Sequence, residues 1–237
     1  MSIDFPIFVI NMEKDFDRWE SVQDQAREFS FYVERVAAIE ARNVPKVELE
    51  FVTAGVRAVW KSHMKCMRLL LESEFSHAVI AEDDFCIEKP KLLFSTLKNK
   101  EILEYDVIQL GWITPGLDNR IKRKYADLEH LFFRTLYKVL IRTKPKSSNL
   151  GRLRVRSSGK TPKGFIPDDF QPGGQFYLIS REFAKAILKL NEPQFLAADD
   201  LYIALARMRS LKFIRSTKNL VSQKPFKKWS GSRFSSH

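Results

Sequence analysis

One segment constrains this chain more than any other. The apolar run Ala78-Val79-Ile80-Ala81 passes without a break into three acids, Glu82-Asp83-Asp84. Four small or β-branched residues in a row read as a buried strand. Three carboxylates at the end of such a strand are costly unless they meet water or a cation. Side chains alternate across a strand, so continued extension would put Glu82 and Asp84 on one face and Asp83 on the other. Two carboxylates on one face suit a hard divalent cation, Mn²⁺ or Mg²⁺. A solvated strand end that caps the next element accounts for the same spacing equally well.

The rest of the chain repeats the pattern of short apolar strands separated by helices. Ile7 to Ile10, ending at Asn11, reads as a strand. Trp19, Val22, Ala26 and Phe29 then recur at three- and four-residue spacing, which predicts an amphipathic helix started by Asp15 or Asp17. A short strand is expected within 32–38. Gly55 precedes a long helical pattern whose apolar face is Val59, Met64, Met67, Leu70 and Leu71. Pro90 opens an element carrying Leu92, Leu93, Phe94 and Leu97, and 106–110 reads as a strand closed by Gly111. Phe176 to Ile179 is another, followed by a helix capped by Ser180. Asp199 and Asp200 precede a helix over 201–208, and 211–214 is the last expected strand. Alternating strands and helices predict an α/β sandwich around a largely parallel sheet, with ligands beyond the carboxyl ends of the strands.

With 237 residues the chain has room for one substantial core, so 1–237 is expected to be a single domain. No apolar run reaches the roughly 18 to 20 residues needed to span a bilayer, and the start carries no signal-peptide pattern. Two cysteines, Cys66 and Cys86, are too few for a disulfide framework and read as buried thiols, which fits a reducing, cytoplasmic setting. The formal charge of +11 attracts polyanions of any kind, whether nucleic acid, anionic lipid or phosphorylated substrate. Much of the excess lies between Arg120 and Lys163, inside an irregular basic insertion over 114–172. There Phe132, Phe133, Leu136 and Tyr137 mix with Lys and Arg, a pattern that fits a helix lying on an anionic membrane surface or a packed helix with a basic outer face.

Three further signals carry chemistry, each with a plainer alternative. Ser62-His63 lies on the helix after Gly55, where a His is either packed or catalytic. Gly173-Gly174 precedes a strand and allows close backbone approach to a ligand, or forms an ordinary loop. Asp199 and Asp200 suit helix capping, or a general base acting on a hydroxyl. No P-loop, zinc cluster or nucleophile elbow is present in the sequence.

Taken in order, these motifs resemble glycosyltransferase family 25, the lipopolysaccharide-biosynthesis galactosyltransferase group. The resemblance is carried by Val9-Ile10-Asn11-Met12 with Asp17-Arg18, by Arg35-Val36-Ala37-Ala38, and by Gly55 with Ser62-His63. Val79 to Asp84, Gly174 to Ser180, and Asp199-Asp200 complete it. It covers about residues 5 to 113 and 172 to 223. The chain departs from the family pattern at Arg57-Ala58-Val59-Trp60, where the family commonly carries a Gly-Cys pair. The resemblance implies a GT-A-like fold, a UDP-sugar donor and an inverting hexosyl transfer. Asp84 and Glu82 become the metal ligands. Asn11, Asp17, Arg18, Ser62, His63, Glu82, Asp83, Gly173 and Gly174 fall at the donor, and Asp199 or Asp200 becomes the base. The implied partners are a UDP-hexose, foremost UDP-galactose, and a saccharide acceptor, lipid-linked at the inner face of the membrane. Nucleic-acid binding is favoured by charge alone and leaves the acid triplet without a purpose. A metal-dependent nucleotidyltransferase or phosphohydrolase would use the same acids without discriminating among sugars.

Overall fold

The structure, a computed structural model, describes residues 3–45, 52–113, 161–188, 197–208 and 211–224. Its elements follow in chain order. They are β1 (Ile7–Asn11), α1 (Phe16–Glu28), β2 (Glu34–Ala37), α2 (Ala54–Glu72), β3 (His77–Glu82), β4 (Phe85–Ile87) and α3 (Pro90–Leu97). Then come β5 (Val107–Gly111), β6 (Phe165–Pro167), β7 (Phe176–Ser180), α4 (Arg181–Ile187), α5 (Ala198–Met208), β8 (Phe213–Ser216) and β9 (Val221–Gln223). The main sheet runs β2-β1-β3-β7-β5-β8-β6, and β9 joins the end of β5 and pairs with β4. Strands β2, β1, β3, β5 and β8 point one way. β7, in the middle, and β6, at the edge, run against them. The chain is therefore α/β, with a mixed and mostly parallel sheet flanked by helices, consistent with a GT-A-like fold.

Strand alternation builds two cores. On one face Phe8 and Ile10 of β1, Ala78 and Ile80 of β3, and Tyr177 and Ile179 of β7 pack with Trp60, Met64, Met67 and Leu70 of α2. Phe183 and Ile187 of α4 and Leu201, Tyr202 and Leu205 of α5 complete that layer. On the other face Ile7, Val9, Val79, Ala81, Phe176 and Leu178 meet Val22 of α1 and Leu93 and Leu97 of α3. Burying each large side chain contributes about 1.5–3 kcal/mol, which is why the strands read as continuous apolar runs. Helix ends are fixed locally. Thr53 accepts from Val56 N at the start of α2, and Ser180 accepts from Phe183 N at the start of α4, as its sequence predicts.

Several expectations change. Asp15 stands at the start of α1, but its carboxylate makes no capping bond. Val59 and Leu92 lie on outer faces, 42% and 40% exposed, because the helical period carries them past the buried stripe. Cys66 is buried as expected, whereas Cys86 is half-buried on β4. Gly55, Asp199 and Asp200 lie inside the first turns of their helices rather than before them. Within 114–172, the part from 161 onward is integrated into the sheet, where β6 pairs with β8. The basic-aromatic patch at 131–146 lies outside the described residues.

Candidate active site

Three parallel strands end on one edge of the sheet: β1 at Asn11, β3 at Glu82 and β5 at Gly111. From β1 the chain goes outward to β2, then returns on the other side of β1 as β3. Such a switch point leaves a crevice beyond the carboxyl ends of the two strands. Asn11 and the acid triplet sit there. Antiparallel β7 enters from the same edge through Gly173-Gly174-Gln175, and Gln175 O accepts from Glu82 N at 3.0 Å.

Extension does not continue through the triplet. β3 ends at Glu82, and Asp83-Asp84 form a turn into β4. The alternating two-acid face is therefore replaced by three separate environments. Asp83 is spent within the protein: Asn11 Nδ2 donates to its Oδ2 at 2.6 Å, and Arg18 Nη1 to its Oδ1 at 2.9 Å. Asn11 is in turn held by Arg35, whose Nε and Nη2 donate to Asn11 Oδ1 at 2.9 and 2.5 Å. Burial pushes the Asp83 carboxyl up, against the pull of Arg18 and Asn11. Burial alone would lower the Arg18 guanidinium, but Asp83, Asp84 and Asp15 outweigh it and raise its pKa.

Asp84 is held differently. Gln223 Nε2 donates to its Oδ2 at 2.7 Å, and Arg18 stands 4.0 Å from the same oxygen. Lys224 N donates to its carbonyl at 2.6 Å, which closes the chain after β9 onto the turn. Its Oδ1 is buried without a hydrogen-bond partner. Burial first, then the neighbouring charge of Glu82, pushes this carboxyl from 3.8 up to about 7. A buried acid with an unmet oxygen, opposed by a second acid, is what a bound cation would relieve. Glu82 is 36% exposed and points to the helix side, with Oε1 3.6 Å from His63 Nε2.

His63 is buried on α2, and its Nδ1 lies 2.6 Å from Tyr177 OH, which lies 3.2 Å from Tyr202 OH. A buried polar string thus runs from Glu82 through His63 and Tyr177 into the core. Burial raises the pKa of both tyrosines, keeping them neutral donors and acceptors. Ser62 does not join it. Its hydroxyl donates to Ala58 O and accepts from Ile39 N, both at 2.8 Å, so it ties α2 to the segment after β2.

Asp199 closes the site from α5. Its Oδ2 accepts from Gly173 N at 2.8 Å, and a Cβ on Gly174 would come within 3.1 Å of its Oδ1. Gly173 has φ +98°, and a Cβ there would meet Ile113 backbone at 2.7 Å. Gly173 is therefore demanded by its conformation and by the close approach of Ile113, whereas a Cβ at Gly174 would press on the Asp199 carboxylate.

The structure thus brings Asn11, Arg18 and the acid triplet to one strand edge, with His63 against Glu82 and the glycine pair against Asp199. Asp17 is exposed on the first turn of α1. Tyr177 and Gln223 escape a reading of the sequence alone, and Arg35 enters it only as part of the motif Arg35-Val36-Ala37-Ala38, without its role in holding Asn11. Tyr177 is signalled only by its alternate position in an apolar strand, and Gln223 by nothing local.

Among the described residues no group of three or more His, Cys, Asp or Glu side chains is placed to hold a metal. One or two carboxylates suffice where substrate phosphates supply the other ligands, so Asp84, with its unmet oxygen, fits a divalent cation of that kind, while Glu82 points toward His63 and would have to turn to join it. No described helix is long and apolar enough to cross a membrane. No individual curated protein matches the chain. The profile of glycosyltransferase family 25 (LPS biosynthesis protein) matches residues 4–202, from β1 through the start of α5, and so takes in Asn11, the acid triplet, the glycine pair and Asp199. The chain belongs to that family and is a glycosyltransferase.

Proposed function

We propose that this glycosyltransferase moves a hexose, with galactose the first candidate, from a UDP-sugar to a hydroxyl of a lipopolysaccharide or other surface-glycan saccharide, with inversion at the anomeric carbon. The observation that carries the donor half is Asp84: a buried carboxylate with one unpartnered oxygen, beside Glu82, at the switch point of the sheet. Asp84 and Glu82 would hold Mn²⁺ or Mg²⁺. A cation bound there supplies charge neutralisation for a departing diphosphate. Arg18 adds a fixed positive charge 4.0 Å from Asp84 and keeps Asp83 anchored.

Asp199 is the preferred base. It borders the glycine turn where substrate would approach, while Asp200 follows it on the same helix and stays the second candidate. Its carboxylate takes the proton of the acceptor hydroxyl as that oxygen attacks the anomeric carbon. The bond from that carbon to the β-phosphate oxygen breaks, and UDP leaves with the electron pair. Alignment and leaving-group stabilisation are the protein's contributions. A lipid-linked acceptor at the cytoplasmic face, with the basic patch at 131–146 against anionic lipid, completes the proposal.

The test is a panel of UDP-sugars with Mn²⁺ and with EDTA. UDP release selective for one sugar and abolished by EDTA is expected. Equal release from every sugar would indicate a phosphohydrolase instead. Full turnover in EDTA would refute the cation at Asp84.

A further inference from the structure

Beyond β5 the chain makes a second polar construction that the donor chemistry does not use. Trp112, half-buried, is clamped through its own peptide groups: Trp112 N donates to Asn219 Oδ1 at 3.2 Å, and Asn219 Nδ2 donates to Trp112 O at 2.9 Å. The Arg215 guanidinium lies 4.6 Å from the centre of the indole ring. Arg215 is itself fixed, with Nε and Nη2 each 2.7 Å from Asp169 Oδ2, and Gln171 Nε2 donates to Asp169 Oδ1 at 3.0 Å. The clamp fixes the backbone that carries the indole, and the anchored guanidinium stacked on the ring restrains the ring itself, which lessens the side-chain freedom that a ligand would have to remove.

The next residue, Ile113, donates its N–H to Pro172 O at 3.0 Å and lies against Gly173, the residue whose N–H holds Asp199. Trp112 is therefore one residue along the chain from the contact with the glycine turn that Asp199 holds, at the end of β5, which lies beyond β7 from β1 and the acid triplet. A second observation marks the same turn. The carboxamide of Gln175 is 1% exposed, its Nε2 lies beside Gly173, and neither its oxygen nor its nitrogen has a hydrogen-bond partner. Leaving both ends of a buried amide unmet is costly, and such groups in native proteins call for an explanation.

We propose that Trp112 and Gln175 form a saccharide subsite for the acceptor, resting on the transferase reading above. The indole offers a rigid apolar surface for the C–H face of a sugar ring, and the Gln175 carboxamide pairs with ring hydroxyls once the glycine turn admits them. Sites of this kind combine an aromatic wall with a few placed polar groups. A site that hydrogen-bonds a hydroxyl strongly rejects the analogue lacking it, so Gln175 selects among acceptors.

The probe is a delipidated lipopolysaccharide core oligosaccharide, and its binding is measured by saturation-transfer NMR and titration without any donor. This readout stands even if the UDP-sugar panel fails. Trp112→Ala is expected to weaken oligosaccharide binding at least tenfold, and Trp112→Phe by less. UDP affinity should move less than twofold in both. Gln175→Leu, close in size and unable to pair, should weaken the oligosaccharide at least fivefold and flatten the preference between sugars that differ at one hydroxyl. Leu92→Ser, on the outer face of α3, is the folded control. Absence of oligosaccharide binding in the unsubstituted protein, or unchanged binding in folded Trp112→Phe and Gln175→Leu, would overturn the subsite.

Discussion

Asp84→Asn should make the metal-free protein more stable at neutral pH, and the gain should vanish in acid. In the folded chain the Asp84 carboxyl is pushed from 3.8 up to about 7, chiefly by burial and then by Glu82. The folded state therefore holds this proton more tightly than the unfolded chain does. Stability from the neutral carboxyl is complete below about pH 4 and is lost as pH rises to about 7. A displacement of about 3 units corresponds to about 4 kcal/mol as an upper figure, since one unit is about 1.36 kcal/mol. Asn removes the ionisation while keeping the shape and an oxygen for Gln223 Nε2. The variant should then exceed the parent by roughly 2–4 kcal/mol at pH 8, and the gap should close only below about pH 4.

Urea unfolding in EDTA at several pH values, run on both proteins, measures this directly. The difference between them cancels the other titrating groups that the substitution leaves untouched. The same experiment with Mn²⁺ and UDP should reverse the order, because ligand at about 1,000 times its Kd adds about 4.1 kcal/mol only to a protein that binds it. A variant no more stable than the parent at pH 8, or a gap that ignores pH, would refute the account of Asp84 as a strained, ligand-seeking acid.

Gly173→Ala should cost roughly 2–3 kcal/mol in thermal or urea unfolding, because φ +98° and a Cβ 2.7 Å from Ile113 backbone are both unfavourable, and transfer should fall with the displaced Asp199. Arg181→Ala should cost roughly 2–3 kcal/mol, since Arg181 donates to the carbonyls of Leu71, Ser73 and Phe75 and so finishes the C-terminal end of α2; calorimetry checks it. Tyr177→Phe leaves His63 Nδ1 buried without its 2.6 Å partner and should cost about 1–3 kcal/mol in urea unfolding.

The strands that lie under helices on both faces were legible, because burial on two sides demands an unbroken apolar run. β1, β3, β5 and β7 announce themselves this way. The three-residue strands β4, β6 and β9 did not, since each exists through pairing with a segment remote in sequence. The direction of β7 was not readable from Phe176-Tyr177-Leu178-Ile179 either, because a run buried on both faces has the same composition whichever way it points. At the site the residue types were legible and their division of labour was not. The choice between Asp199 and Asp200 rests on Gly173, 26 residues earlier, and the environment of Asp84 rests on Gln223, 139 residues later.

That division gives the sharpest test of the triplet. Asp83 and Asp84 are adjacent and both acidic, and both are pushed up by burial. Asp83 nonetheless has each oxygen engaged by a donor of the fold, one of them the Arg18 guanidinium, whereas Asp84 keeps one oxygen unmet. Removing a charge from a buried, hydrogen-bonded pair strands its partner, and breaking such pairs costs about 3–5 kcal/mol. The Asp83 charge is itself disfavoured by burial, which offsets part of that cost, but an amide at this position can accept from only one of Asn11 and Arg18 and sets its NH₂ against the other, so Asp83→Asn should still cost roughly 1–2 kcal/mol at pH 7. Neighbouring isosteric substitutions should thus move stability in opposite directions, Asp83→Asn downward and Asp84→Asn upward. If urea unfolding shows both moving the same way, the triplet acts as one charge cluster, and the separation of an anchoring acid from a cation-binding acid fails.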